Sequence, residues 1–276
     1  MIKLSASTLG CPEWTFEQVV DNYERYGIEG VEIRGIDGEM EADKIVRFFP
    51  ENLPKTLALM NTHGLKFVSF GTSVCLHAKE NRDELVAYMA RTIDVCARVG
   101  IPAIRVFGDQ LPEEDGEKRD LILARIIGNL VAICDCARSK NVQIYLEIHG
   151  TVNCIRALRP IIEGVKHIPN FGIIWDVEHS DRTTGDDFTP FYKLIRPYIR
   201  HVHFKDYVRA KDNHPVHLTE LGEGEIPLAT IAKTLIAGGY EGYISLEWEK
   251  KWHPELSEPQ EAFPKFVSYM KNIGVI

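Results

Sequence analysis

The sequence lacks the features that mark membrane, secreted and nucleic-acid-binding proteins. Its 276 residues contain no uninterrupted apolar run of about 18, the length that a membrane-spanning helix needs. The first residues, MIKLSASTLG, have neither the basic segment nor the following apolar segment of a secretory signal. The net charge of −8 argues against a polyanionic partner, because nucleic-acid-binding surfaces usually carry a basic excess. We therefore expect a soluble cytoplasmic protein that binds neither nucleic acid nor a membrane.

Two further absences concern cysteine pairs and glycine-rich turns. The six cysteines are scattered and include no C-x-x-C pair, so we expect free thiols in a reducing compartment. No G-x-G-x-x-G follows the first predicted strand, where SASTLGCPEW stands instead. That absence argues against a doubly wound dinucleotide-binding sheet. The hydrophobic content of 45% is nevertheless enough for a large core.

Apolar runs of strand length alternate with amphipathic helical segments along the whole chain. The predicted strands cover residues 3–8, 30–34, 65–70, 103–107, 142–148, 199–204 and 243–246. One more lies in FGIIWDVEHS, residues 171–180, where the apolar run 173–175 stops at Asp176. Predicted helices follow them, among them 16–26, 53–63, 81–99, 154–167, 188–198, 228–237 and 260–272. Eight strand–helix units without a shift in composition predict an α/β protein of the (β/α)8 TIM barrel class. We expect residues 1–276 to form a single domain.

Four predicted strands in the C-terminal half end at an acid or a histidine. Glu147 lies in YLEIHG, Asp176 in FGIIWD and Glu247 in YISLEWE, while HVHFKD offers both His201 and His203. Alternation places these two histidines on the same side of their strand, so the pattern does not choose between them. The active site of a barrel lies at the carboxyl ends of its strands, where these side chains would converge. Such a mostly oxygen donor set suits Mn²⁺, Mg²⁺ or Co²⁺, and accommodates Zn²⁺.

The same donor set predicts a reaction. A metal that holds a carbonyl and a hydroxyl oxygen polarises the carbonyl and stabilises the enediolate formed when the adjacent carbon loses a proton. Glu147 and Glu247 would flank the metal from opposite sides. One could then remove a proton from one face while the other returns it to the opposite face. This arrangement is a route to epimerisation.

The motifs LEIHG, WDVEH, HVHFKD, GEGEIP and LEWE resemble those of the xylose isomerase-like barrel superfamily. They are most similar to its sugar phosphate isomerase/epimerase branch, which includes ketose 3-epimerases, hydroxypyruvate isomerases and inosose dehydratases. The resemblance implies Glu147, Asp176, His203 and Glu247 as ligands of one divalent ion, with Mn²⁺ favoured and His201 behind the ligands. It also implies a small-molecule sugar or sugar phosphate as substrate, and a homodimer or homotetramer.

The resemblance further implies a set of substrate-binding side chains. His179, three residues after the metal aspartate, and Arg209, six residues after the metal histidine, match positions at which the family contacts its substrate. His149 and Lys205 complete the predicted set. For Lys205 a contact to a substrate phosphate or hydroxyl and an ion pair at the barrel rim are both open. Where the 3-epimerases carry a further glutamate, this chain has Asn153.

The sequence allows two interpretations of Glu32, an acid in the N-terminal half. Glu32 lies in the middle of the second predicted strand. It would either join the substrate pocket or close a polar layer inside the barrel.

We therefore expect a metal-dependent sugar isomerase or epimerase of carbohydrate metabolism, acting on a ketose, ketose phosphate or keto-polyol with Glu147 and Glu247 as its acid/base pair. An inosose-type dehydratase is the alternative, because it begins with the same proton abstraction and then expels a hydroxyl. An endonuclease IV-like nuclease ranks lower, since it needs further ligands for a trinuclear zinc cluster and a basic DNA-binding face. A sugar-binding module also ranks lower, because it needs no pair of opposed glutamates.

Overall fold

The computed structural model of the chain describes residues 1–185, 187–210 and 216–276. The described strands are β1 (Lys3–Ser7), β2 (Gly30–Ile33), β3 (Lys66–Cys75), β4 (Ala103–Phe107), β5 (Gln143–Glu147), β6 (Phe171–Asp176), β7 (Ile199–Phe204), β8 (Asp206–Val208), β9 (His217–Thr219) and β10 (Tyr243–Leu246). The described helices are α1 (Phe16–Tyr26), α2 (Leu53–Thr62), α3 (Arg82–Val99), α4 (Glu117–Arg138), α5 (Ile155–Val165), α6 (Val177–Thr184), α7 (Thr189–Ile195), α8 (Leu228–Ala237) and α9 (Pro259–Asn272). Eight strands form a closed barrel in the order β1-β10-β7-β6-β5-β4-β3-β2, which confirms the predicted TIM barrel, whereas the single domain stays a prediction.

Residues 1–40, 44–68 and 201–276 form one compact unit. In it β1 pairs in parallel with β2 and β10, and β10 pairs in parallel with β7. Helix α1 begins at a capping box in which Thr15 and Gln18 bond each other's backbone, and it ends at Gly27 with φ 83°. The strands β8 and β9 form an antiparallel hairpin within this unit. The predicted polar connection before α8 contains residues 211–215, which lie outside the described residues.

Residues 41–43 and 69–200 form the second compact unit. There β4 pairs in parallel with β3 and β5, and β5 pairs in parallel with β6. All six residues of β6 are buried, as expected of a parallel strand that is covered on both faces. All six cysteines are free thiols, as predicted. Of the buried ones, Cys11 lies in the first unit, and Cys96 and Cys134 lie in the second.

One predicted strand was too short. Strand β3 continues to Cys75, five residues beyond its predicted end at residue 70, with a shift of register between Gly71 and Cys75. His179 lies in α6, whose first turn is capped by the preceding aspartate. Helix α5 runs through Pro160. In the described part of the chain, no helix combines the length and the apolar character needed to span a membrane.

Candidate active site

Within the first unit, three strand ends bring together Glu32, His201, His203 and Glu247, none of them more than 4% exposed. His201 Nε2 lies 2.8 Å from Glu32 Oε2, and His203 Nε2 lies 3.0 Å from Glu32 Oε1. The other ring nitrogen of His203, Nδ1, lies 3.2 Å from Glu247 Oε2. The polar layer expected of Glu32 is therefore present, and both histidines of HVH take part in it.

The contact from Glu32 orients His203. A carboxylate that accepts a hydrogen bond from one imidazole nitrogen fixes the ring and leaves the other nitrogen as the ligand atom, a usual arrangement behind metal-binding histidines. Burial would raise the pKa of Glu32, but the charges that His203 and His201 can carry hold this pKa below its ordinary value. In this geometry Nδ1, which faces Glu247, is the nitrogen that His203 could offer to a metal ion, and His201 contacts Glu32.

Lys205, just past β7, is buried between two acids. Its Nζ lies 2.8 Å from Glu247 Oε2 and 2.7 Å from Glu249 Oε1, and only 4% of the side chain is exposed. Buried charges need such partners because the protein interior solvates them poorly. Of the two roles predicted for Lys205, the structure contains the ion pair, and the substrate contact stays a prediction.

In the second unit, Glu147 at the end of β5 forms an ion pair with Arg105 of the neighbouring β4. Arg105 Nη1 lies 2.7 Å from Glu147 Oε2, and the two side chains are 3% and 1% exposed. Arg105 also donates through Nη2 to the carbonyl of Thr72 at 3.1 Å, and its guanidinium lies 4.3 Å from the ring centroid of Phe107. Sequence reasoning missed Arg105. The signal was a cation in the otherwise apolar strand AIRVF, since a buried cation requires a counter-charge.

Asp176, which is fully buried, ends β6 and begins α6. Its Oδ1 accepts the backbone N–H of His179 at 3.0 Å, so this predicted ligand also caps the helix. Asn153 donates through Nδ2 to the carbonyl of His179 at 2.9 Å. Asn153, which stands where the 3-epimerases carry glutamate, therefore holds the turn that contains His179.

His149, after β5, is brought against His179. Their ring centroids lie 4.3 Å apart, and His149 Nδ1 lies 3.1 Å from Asp109 Oδ1. Burial would lower the pKa of His149, but the Asp109 carboxylate and neighbouring acids raise it above its ordinary value. Asp109 has φ 64°, a left-handed conformation that is uncommon outside glycine, and the hydroxyl of Thr151 donates to its carbonyl at 3.1 Å. Sequence reasoning had given Asp109 no role.

The glycine-rich GEGEIP turn is held by Asp206. The Asp206 carboxylate accepts backbone N–H groups that include Gly222 at 2.9 Å and Gly224 at 3.1 Å. A Cβ at Gly224 would overlap Asp206 Oδ1, which explains the glycine. The backbone N–H of Arg209 donates to Glu225 Oε2 of the same turn at 2.7 Å. The turn therefore anchors the segment that carries Arg209, whose contact with substrate stays a prediction.

A family model described as Xylose isomerase-like TIM barrel matches residues 20–272. The chain belongs to this family. The fructoselysine 3-epimerase of Escherichia coli O157:H7 is 23% identical over 131 residues, which make up 46% of this chain and 46% of that protein. The match therefore spans less than half the length of this curated relative.

Solved structures share the fold over nearly the whole chain. The probable 3-DHS dehydratase AsbF from Bacillus anthracis is 18% identical, with a TM-score of 0.78 and coverage of 98% of this chain and 99% of that one. The IOLI protein, solved with a bound zinc atom, is also 18% identical, with a TM-score of 0.78 and coverage of 99% and 98%. At this identity the likeness shows the fold. The chain is thus a sugar isomerase/epimerase-like barrel with buried acids and histidines suited to a metal ion.

Proposed function

We propose that this xylose isomerase-like barrel is a divalent-metal-dependent sugar isomerase or epimerase acting on a ketose, ketose phosphate or keto-polyol. The observation that carries the proposal is the set of Glu147, Asp176, His203 and Glu247. Glu147 and Asp176 belong to the second unit, His203 and Glu247 belong to the first, and all four are at most 4% exposed. They end four strands that are consecutive in the barrel order, namely β5, β6, β7 and β10.

The donor chemistry fits a divalent cation. Three carboxylates and one imidazole suit Mn²⁺, which we favour, and also Mg²⁺, Co²⁺ or Zn²⁺. The alternative group of Glu32, His201 and His203 fits less well, because both Nε2 atoms are already hydrogen-bonded to Glu32. When bound, a divalent metal would polarise the substrate carbonyl and stabilise the negative charge that develops on its oxygen.

The two glutamates would perform the proton transfers. One carboxylate takes the proton from the carbon next to the carbonyl, and the electrons of that C–H bond move into the enediolate. The other carboxylic acid gives a proton to the opposite face of the same carbon, which forms the new C–H bond. Arg105 orients Glu147 and Lys205 orients Glu247, each through a contact of 2.7–2.8 Å. His149, His179, Lys205 and Arg209 would bind the substrate's hydroxyl or phosphate groups.

One observation favours a second candidate, a dehydratase of the inosose type. The Asp109 carboxylate holds His149 through Nδ1, which sets the imidazole to give a proton through Nε2. Protonation of a departing hydroxyl would turn the same proton abstraction into loss of water. The two reactions differ in their products, because an isomerase or epimerase conserves the mass of the sugar and a dehydratase lowers it by one water.

The test is proton exchange. The Mn²⁺-loaded protein is incubated in D₂O with ketoses, ketose phosphates and inososes, and the products are followed by NMR and mass spectrometry. We expect deuterium at a carbon next to the carbonyl. The variants Glu147→Gln and Glu247→Gln should lose this exchange at saturating Mn²⁺, with metal binding checked by calorimetry. The exposed Glu163→Gln serves as the matched control. Undiminished exchange in both active-site variants would refute the two-base mechanism.

A further inference from the structure

A cavity of about 260 Å³ lies between the loops that follow β1 and β10, within the first unit. Its volume is close to the lower end of the usual size of small-ligand sites. Much of its wall is apolar and comes from three prolines and an indole, namely Pro12, Pro254, Pro259 and Trp14. We name it the Trp14 cavity. It has room for a ligand of about the size of a single amino acid.

Hydrogen bonds hold both loops of the Trp14 cavity in place. Lys250 Nζ donates to the carbonyl of Pro254 at 2.7 Å and lies 2.8 Å from Glu258 Oε1, which fixes the loop after β10. The backbone N–H of Lys251 donates to the carbonyl of Leu9 at 3.2 Å and so joins this loop to the segment after β1. The cavity is therefore formed before any ligand binds, and a ligand does not have to order the loops.

Two side chains of opposite charge on the cavity wall, Glu13 and Lys251, form no ion pair in the part of the chain that the structure describes. Glu13 is exposed. Lys251 is half-buried, and its ammonium lies 5.6 Å from the ring centroid of Trp252. The other two charged side chains of the wall, Lys250 and Glu258, are paired with each other. A ligand in the cavity therefore meets one available carboxylate and one available ammonium group.

A zwitterion with an apolar body complements this lining. Its ammonium group would bind Glu13 and its carboxylate would bind Lys251, through charge-assisted hydrogen bonds that are stronger than neutral ones. In an α-amino acid both charges are attached to one carbon, so the whole side chain is left to pack on the indole of Trp14 and the prolines. We propose that the Trp14 cavity binds an α-amino acid with an apolar side chain. The proposed isomerase or epimerase activity does not enter this inference.

The inference is tested by NMR titration with L-phenylalanine, with 3-phenylpropanoate, which lacks the ammonium group, and with 2-phenylethylamine, which lacks the carboxylate. The indole N–H resonance of Trp14, identified by its loss in Trp14→Phe, reports occupancy, and that of the fully buried Trp175 in the second unit is the internal control. We expect L-phenylalanine to bind about 3- to 10-fold more tightly than either analogue. Equally tight binding of either analogue, or an unshifted Trp14 resonance, would overturn the inference.

Variants assign the two charges. Glu13→Gln should weaken binding of L-phenylalanine and 2-phenylethylamine and leave 3-phenylpropanoate unchanged, whereas Lys251→Gln should weaken L-phenylalanine and 3-phenylpropanoate and leave 2-phenylethylamine unchanged. Lys233→Gln, at an exposed lysine on α8, is the control and should keep the full affinity for all three. Thermal melting verifies that each variant is folded. Undiminished binding of L-phenylalanine in both cavity variants would refute the assignment, and proton exchange in D₂O judges the proposed function separately.

Discussion

Replacing Arg105 by methionine removes the cation that faces Glu147 while keeping a long apolar side chain. Both partners are nearly inaccessible, at 3% and 1% exposure, and they are 2.7 Å apart. Breaking a buried ion pair from one side typically costs about 3–5 kcal/mol, because the remaining charge is left in a medium that solvates it poorly. The carbonyl of Thr72 would also lose the hydrogen bond that it accepts from Arg105. We therefore expect Arg105→Met to lower the free energy of unfolding by about 3–5 kcal/mol.

A double-mutant cycle separates the pair from other effects of the substitution. Glu147→Gln alone leaves the guanidinium facing a neutral amide, and the double variant Arg105→Met/Glu147→Gln leaves neither charge. If the ion pair is the cause, the double variant should be more stable than the sum of the two single changes predicts, by about 1–3 kcal/mol. Urea denaturation of the metal-free protein, followed by circular dichroism, measures each free energy, and the m-value shows whether the transition stays comparable.

A surface pair provides the control for this cycle. Arg138 and Asp135 form an ion pair at 2.7 Å with about half of each side chain exposed, so Arg138→Met should change stability little. A similarly small loss for Arg105→Met, or additive effects of the two buried substitutions, would refute the argument that Arg105 neutralises Glu147.

Four further outcomes are expected. Glu32→Gln should weaken Mn²⁺ binding by about 10- to 100-fold in calorimetry, because His203, the proposed ligand, loses its carboxylate partner. Unchanged affinity would show that Glu32 does not support the proposed metal site. Dialysis against a chelator should lower the melting temperature, and Mn²⁺ at 100 times its Kd should restore about 2.7 kcal/mol. Gly224→Ala should cost about 1–3 kcal/mol in a thermal melt, since the new methyl meets the Asp206 carboxylate, and an unchanged melting temperature would contradict that contact. The Asp109–His149 pair should stabilise the fold mainly between pH 3.8 and 6.5. The pKa of Asp109 is lowered in the folded protein, so its contribution to the free energy of unfolding is lost as the pH falls through that pKa. The pKa of His149 is raised in the folded protein, so its contribution is lost as the pH rises through that pKa. Melting curves of Asp109→Asn should therefore differ from the parent most near the middle of this window.

Much of the fold could be predicted because its signals are local. Helix α1 lies between the capping residues Thr15 and Gly27, as predicted for residues 16–26, and the bounds of β4, β7 and α8 match the predicted ranges. Helix α6 was missed because its cap is Asp176 itself, a residue interpreted only as a metal ligand. The extension of β3 depends on an irregular pairing with β4, which the sequence of β3 does not reveal.

The candidate ligands were visible in the sequence because each ends an apolar strand, whereas their supporting partners are remote in sequence. Arg105 lies 42 residues from Glu147, and His201 lies 169 residues from Glu32. No local pattern states which acid meets which cation across such separations. These strands become neighbours only through their order in the barrel, so the contacts that support the candidate ligands could not be predicted from the sequence.

The buried thiols give each compact unit its own chemical reporter of opening. Burial raises the pKa of both Cys11 and Cys134 to about 12, so at neutral pH neither thiol reacts while its surroundings are closed. Cys11 belongs to the unit that includes β1, and Cys134 lies on α4 of the other unit. Rates of thiol alkylation at these two positions can be measured separately by mass spectrometry of peptides. Equal rates would indicate that the two units open in one cooperative step, and different rates would indicate that each unit opens independently.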